Sequence, residues 1–344
     1  MKILVTGAAG FTGGHVTDRL LARGHHVLAL DNLSFGRREH VPSEAEFWRV
    51  DLGQIGDEAF AGRLIAFDPD YVVHLAAIHH IPYCMAHPDE TFASNVRATD
   101  VLVRLLGKCP NIRKLVAAST MDVYAPKNTI HRETDVPSPR NVYGLSKLLT
   151  EQIINFAVNT SKHLSAVCLR FANVYGPRET NAHLIPDALE RVARDTEPEI
   201  RMGYLGGARD FIHVFDVADA IVRCLFNDIG RYEVFNLGTG VATPVRRVVE
   251  IIRDAFGDDR PVVEDTSKFR KFDRESLTPD ITKVLHQTEW RPKIGIEEGL
   301  KALVDGTLRA ALLLRQPSSA RRDNVTPRRV LDDQPVVQLN RMKG

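Results

Sequence analysis

The stretch "MKILVTGAAGFTGGH" (residues 1–15) runs from a β-branched apolar segment straight into glycines at 7, 10 and 13 and then into a helical pattern. Glycines in that place let the backbone turn sharply and approach a pyrophosphate closely. The helix after them offers free N–H groups and a partial positive charge. The spacing is G-x-x-G-x-x-G, with Phe11 and Thr12 between the second and third glycines. A glycine triplet alone is weak. Its position between a strand and a helix is the context that makes it a dinucleotide cradle.

Working outward, "KILVT" (2–6), "HVLAL" (26–30), "FWRV" (47–50), "YVVHLAA" (71–77), "KLVAAS" (114–119) and "SAVCLR" (165–170) read as strands. Near-continuous apolar strands separated by helix-length segments predict a parallel sheet covered on both faces. Val101, Leu102, Leu105 and Leu106 have helical spacing, as do Leu145, Leu148, Leu149 and Ile153. The expected fold is therefore α/β, a doubly wound parallel sheet of Rossmann type over residues 1–170. A smaller α/β substrate domain, partly interleaved with the first, is expected over 171–314, with helices near 184–195, 216–226, 245–256 and 296–314. Residues 315–344 hold seven Lys or Arg, three Asp and three Pro, which reads as a polar, basic, solvated tail.

The bulk numbers narrow the partners. The chain has 344 residues, is 44% apolar and carries a formal net charge of +1. That balance gives no electrostatic reason to expect nucleic acid or an anionic membrane. No apolar run reaches the roughly 18 residues of a membrane span. Cys84, Cys109, Cys168 and Cys224 show no paired spacing and read as reduced thiols of a cytoplasmic protein. His79 and His80 are adjacent, so their side chains diverge, and no metal site is expected.

Three further features carry chemistry. Asp31 ends the second strand, where a carboxylate accepts both ribose hydroxyls of an adenosine and repels a 2′-phosphate, favouring NAD over NADP. Asp51, after the third strand, is a candidate for the adenine edge. Tyr143 and Lys147 in "YGLSK" lie four apart and share a helix face. An ammonium beside a phenol favours phenolate, a general base.

With these in place, the chain resembles the extended short-chain dehydrogenase/reductases, in particular their nucleotide-sugar epimerase, dehydratase and decarboxylase group. "TGAAGFTGGH", "DNLS", "VDL", "HLAA", "AASTMDVY", "YGLSK", "LRFANVYGP", "RDFIHVFDVADA" and "NLGTG" fall in that family's order between residue 1 and about 314. The resemblance implies NAD as cofactor, contacted additionally by Asn32, Leu52, Leu75, Ala76 and Ala77. It implies Tyr143 as base and Lys147 on the nicotinamide ribose. It also implies Thr120 as the hydroxyl that holds a sugar 4-hydroxyl against Tyr143, giving a transient 4-keto sugar. For the nucleotide diphosphate sugar it implies Asn173, Arg209 and Arg270, with His79 and Tyr83 from the loop after strand four. "RKFDR" (270–274) departs from the family's R-P-G-D at its second and third positions. A homodimer built on helices near 95–107 and 143–157 is implied as well. Tyr124, Cys84 and Met85 are expected to pack in the core.

"STMDVYAP" (119–126) decides the fate of the ketone. A dehydratase places an acid and a base just after the Thr; here those positions are Met121 and Asp122. Met121 cannot donate a proton, while Asp122 retains one carboxylate. The expectation is an NAD-dependent 4-epimerase. Dehydration, or decarboxylation of a uronic sugar through Asp122, is the alternative. A non-catalytic NAD-binding protein is the alternative of another class, and Thr120, Tyr143 and Lys147 together argue against it.

Overall fold

The computed structural model describes residues 1–54, 58–127, 129–179, 181, 183–194, 197–268 and 276–315. Residues 1–304 form one compact unit, and the remainder groups separately. The basic tail predicted after 315 lies outside the described residues.

The strands are β1 (Lys2–Thr6), β2 (His26–Asp31), β3 (Glu46–Arg49), β4 (Tyr71–His74), β5 (Lys114–Thr120), β6 (Ser165–Phe171), β7 (Asn173–Tyr175), β8 (Ile200–Met202), β9 (Ala208–His213), β10 (Tyr232–Leu237), β11 (Ala242–Pro244), β12 (Val262–Glu264) and β13 (Ser276–Leu277). The helices are α1 (Phe11–Leu21), α2 (Glu58–Phe67), α3 (Ile81–Ala86), α4 (Pro88–Phe92), α5 (Ala98–Leu106), α6 (Val142–Thr160), α7 (Leu184–Arg194), α8 (Val214–Phe226), α9 (Val245–Ala255), α10 (Thr282–Thr288) and α11 (Ile296–Arg315). All six strands read from the first half of the sequence form, within a few residues of the expected bounds.

The main sheet has seven parallel strands in the order β10-β6-β5-β4-β1-β2-β3. This is the doubly wound order, extended by β10 from beyond residue 171, and the strand order reverses between β1 and β4. Alternation along each strand covers both faces. Ile3, Val5, Val73 and Val116 point into one apolar layer, and Leu4, Val72, Leu115 and Ala117 into the other. Burying each Val, Leu or Ile among them stabilises by about 1.5–3 kcal/mol. β7, β9, β11 and β13 form a smaller sheet, β8 and β12 pair beside it, and a third apolar cluster packs there against α7 and α9.

The carboxyl ends of β1 and β4 are tied by one buried imidazole. Thr6 Oγ1 lies 2.7 Å from His74 Nδ1, and His74 Nε2 lies 3.0 Å from Thr99 Oγ1. Thr99 donates its own proton to Asn95 O, so it accepts from His74, whose Nδ1 then accepts from Thr6. His74 is thus a neutral Nε2–H tautomer. Burial, then the Lys147 charge, pushes its pKa from 6.5 to about 3. Below pH 6.5 the unfolded chain takes up a proton here that the folded chain refuses. Stability should therefore fall as pH drops from about 6.5 toward 3, by up to about 1.4 kcal/mol per pH unit from this group. Urea unfolding at a series of pH values should show His74→Gln flattening that slope by close to one proton. An unchanged slope would contradict the assignment.

Candidate active site

The glycine loop is built by close backbone approach. Gly7 has φ +69°, and a Cβ on it would lie 2.6 Å from Ala76 N. A Cβ on Gly13 would lie 2.0 Å from Gly7 O. Gly10 caps α1 with no side-chain hydrogen bond, and the first turn carries no acidic residue. The N–H groups of that turn are therefore available to an anion.

Asp31 sits at the carboxyl end of β2 and ties the loop to it. Its Oδ2 accepts from Ala9 N (3.0 Å) and its Oδ1 from Leu33 N (2.8 Å). Burial raises its pKa, while these backbone bonds oppose the rise. Asp51 Oδ2 accepts from Asn32 Nδ2 (3.1 Å), which fixes the neighbouring turn.

Tyr143 and Lys147 ride on α6. Its N-cap is Asn141, whose Oδ1 accepts from Gly144 N (2.7 Å) and whose Nδ2 donates to Asp122 Oδ1 (3.0 Å). The same amide thus starts the helix and anchors the acid. Thr120 ends β5 and caps the 3-10 turn Met121–Val123 by accepting from Asp122 N (3.1 Å). Thr120 and Tyr143 line the same cavity, and the Thr120 hydroxyl acts to lower the Tyr143 pKa. The Tyr143 phenol is nonetheless pushed above its ordinary range, first by burial and then by the Asp122 carboxylate. The expected lowering by Lys147 is not what the protein alone produces. Lys147 is itself buried, and burial pulls its pKa down to about 8, with Glu151 opposing.

Behind this face lies a closed polar network. Glu151, one turn beyond Lys147, accepts from Ser119 Oγ and from Arg170 Nε (2.9 Å) and Nη2 (2.6 Å). Arg170 also reaches Tyr124 Oη (2.6 Å), which donates to Asn236 Oδ1 (2.8 Å). Tyr124 packs as expected, with its polar end satisfied.

A continuous cavity of about 910 Å³ runs from the glycine loop to the smaller lobe. Every described residue named above as cofactor-binding or catalytic lines it, and so do His79, Asn173 and Arg209. Asn173 Nδ2 donates to Asp210 O (3.0 Å), and Arg209 Nη1 to Ala208 O (3.0 Å). Tyr83 stands apart. The short helix α3 carries it off the cavity wall, and its hydroxyl donates to Glu90 Oε2 (2.6 Å). Met85, expected in the core, is exposed and lines the cavity, whereas Cys84 is buried. Arg270 lies outside the described residues. Among the described residues no cluster of His, Cys, Asp or Glu has the arrangement of a metal site.

The loop carrying His79 is clamped by Asn95, in a π-helical turn (Ala93–Arg97). Its amide accepts from Ile78 N (2.8 Å) and donates to Ile78 O and Ser146 Oγ (both 2.9 Å). Glu179, Asn181 and His183 also line the cavity, and none of them was expected there from the sequence. Their signal is E-x-N-x-H directly after "NVYGPR".

A cavity that opens where the strand order reverses, and begins at a glycine loop, defines a dinucleotide-binding α/β protein. The model of the family described as "NAD dependent epimerase/dehydratase family" matches residues 3–238. UDP-glucose 4-epimerase of Corynebacterium glutamicum is 31% identical over 308 residues, covering 85% of this chain and 91% of that one. The Mycolicibacterium smegmatis UDP-glucose 4-epimerase is 32% identical over 316 residues, covering 89% and 98%. The Thermotoga maritima UDP-glucose 4-epimerase solved with UDP-glucose superposes with a TM-score of 0.84 at 32% identity, covering 90% of this chain and all of that one. The Thermus thermophilus UDP-glucose 4-epimerase complex with NAD gives 0.79 at 33% identity, covering 89% and 98%. The chain belongs to the NAD dependent epimerase/dehydratase family.

Replacing Arg170 by Met leaves the buried Glu151 carboxylate without its cation. Arg170→Met should lower unfolding free energy in urea by about 3–5 kcal/mol, and adding Glu151→Leu should restore most of it. A loss under about 1 kcal/mol in the single variant would show that the pair is not desolvated.

Proposed function

We propose that the protein is an NAD-dependent nucleotide-sugar 4-epimerase, acting on a UDP-sugar through a transient 4-keto sugar. One observation carries the reading: Thr120, Tyr143 and Lys147 line the same cavity as the glycine loop and Asp31. The loop and the first turn of α1 suit a pyrophosphate, and Asp31 suits a ribose without a 2′-phosphate. When bound, NAD supplies the redox chemistry at C4 and, in its oxidised form, a positive charge beside the phenol. The protein's own work is to hold and move the proton of the sugar 4-hydroxyl. Thr120 orients that hydroxyl, and Tyr143 takes its proton and returns it. Lys147 is assigned to the nicotinamide ribose. Asn173 and Arg209 are assigned to the diphosphate, since a guanidinium offers paired planar donors to phosphate oxygens. In this reading the region after 171 supplies the nucleotide-sugar side of the cavity.

Epimerisation is favoured over dehydration and decarboxylation by the two residues after Thr120. Met121 is buried and has no proton to give, and the Asp122 carboxylate is already held by Asn141. Tyr143→Phe should lower turnover of UDP-glucose or another UDP-sugar by about 10²–10⁴-fold with folding intact. Wild-type turnover in that variant would remove Tyr143 as the base, and turnover in neither protein would favour a non-catalytic NAD-binding role. Asp122→Asn should keep most of its rate. The Asp122 charge raises the Tyr143 pKa, so its loss should shift the acid limb of the pH–rate profile to lower pH. Loss of nearly all activity would instead favour a dehydratase or decarboxylase.

A homodimer is part of the same reading. Leu145, Leu149 and Phe156 are exposed on α6, with Phe156 71% exposed, beside a groove lined by Phe92, Val96 and Ile153. Contiguous exposed apolar surface of this kind marks an interface. Sedimentation should give a dimer for the wild type and a monomer for Phe156→Glu, whereas a monomeric wild type would contradict it. The four cysteines are buried free thiols, which fits a reducing compartment such as the cytoplasm.

A further inference from the structure

The loop after β2 and the helix after β4 meet across the mouth of the cavity. β2 and β4 pair with opposite edges of β1, so a contact between their carboxyl-terminal extensions passes over the glycine loop that follows β1. One such contact is aromatic. Phe35 and Tyr83 lie edge to face, with ring centroids 5.3 Å apart and planes at 83°. Phe35 lines the cavity and is 48% exposed, which places a large apolar ring at the rim.

Both rings are held from behind. On one side, Leu33 takes φ +61°, a left-handed conformation that a bulky side chain adopts at a cost, and Asp31 Oδ1 accepts from its N–H. The turn sends the chain back onto the glycine loop. Arg37 N donates to Ala9 O at 2.9 Å, and a Cβ on Gly36 would lie 2.8 Å from Ala9 Cβ. On the other side, Tyr83 Oη donates to Glu90 Oε2, and the Tyr83 ring centroid is 4.4 Å from that of His87. Tyr83 rides on α3, which is tied to α6 where Met85 Sδ accepts from Val142 N (3.5 Å). Tyr83 is thus a fixed stop, and Phe35 reaches it from a loop.

We propose that Phe35 and Tyr83 form a clasp across the dinucleotide channel that slows the exchange of bound NAD. The inference needs only the dinucleotide cradle, and it gives a role to Tyr83, which has left the cavity wall. The 4-epimerase reading supplies the reason for a clasp. Hydride taken from C4 has to come back from the same cofactor, so the reduced form must stay in place between the two transfers. The clasp is a contact between protein groups. It sets how often the channel opens, not how strongly the open channel binds. Breaking it therefore speeds entry and release together and leaves affinity nearly unchanged. An edge-to-face pair is strong enough to change an opening equilibrium by about two- to tenfold.

The test needs no turnover. Protein loaded with radiolabelled NAD is chased with excess unlabelled NAD, and the dissociation constant is measured in parallel by equilibrium dialysis. Tyr83→Ala should release NAD about two- to tenfold faster than the wild type at nearly the same dissociation constant. Phe35→Ala, which leaves α3 untouched, should do the same. The double variant should be no faster than the faster single one, because either change alone opens the clasp. Tyr83→Phe keeps the ring and should stay close to the wild type. Wild-type release from Tyr83→Ala would overturn the inference, as would multiplying effects in the double variant. Weakened affinity that accounts for all of the faster release would overturn it too, by making the rings direct contacts of NAD. These three results leave the nucleotide-sugar reading standing, whereas a wild type that binds no NAD would overturn both.

Discussion

Glu151 and Arg170 meet at 2.6 Å inside the protein, and the active face is arranged around that contact. Glu151 is the third residue of a series, after Tyr143 and Lys147, at successive intervals of four along α6. A helix puts all three on one side. Clamping Glu151 from β6 through Arg170, and from β5 through Ser119, fixes how α6 is rotated against the sheet. Lys147 and Tyr143 then have one way to face. Thr120 is next to Ser119 on β5, so its side chain points to the opposite side of the strand, toward the cavity. One buried ion pair thus sets both halves of the proposed proton-handling site.

The electrostatics divide the labour. The protein holds the Tyr143 proton more tightly than free tyrosine does, because burial and Asp122 both oppose phenolate. It keeps Lys147 buried close by, with a pKa drawn down to about 8. In the proposed assignment, the positive charge of oxidised NAD would join Lys147 in favouring phenolate, and one helix carries both residues.

Much of this was legible in the sequence because it is local. The glycine loop, the six leading strands, Asp31 and the Tyr143–Lys147 interval depend on neighbours within a turn or a strand. The features that were not legible depend on distant contacts. β10 joins the main sheet from residues 232–237 because β6 offers it an open edge, which no local pattern reveals. Tyr83 comes soon after His79 and His80 in sequence, yet α3 turns it toward Glu90. Met85 is apolar and reads as core, but the same helix leaves it on the cavity wall. The direction of the Tyr143 shift follows first from its burial and then from the Asp122 carboxylate, both set by tertiary packing. Glu179, Asn181 and His183 sit in a loop whose composition carries no periodic signal.

The most direct measurement is incubation with UDP-glucose and with UDP-glucuronate, each carrying deuterium at C4, with mass and NMR analysis of the product. The proposed chemistry gives the C4 epimer at unchanged mass with the deuterium still at C4. Loss of water or carbon dioxide, or exchange of the C4 label with solvent, would contradict it.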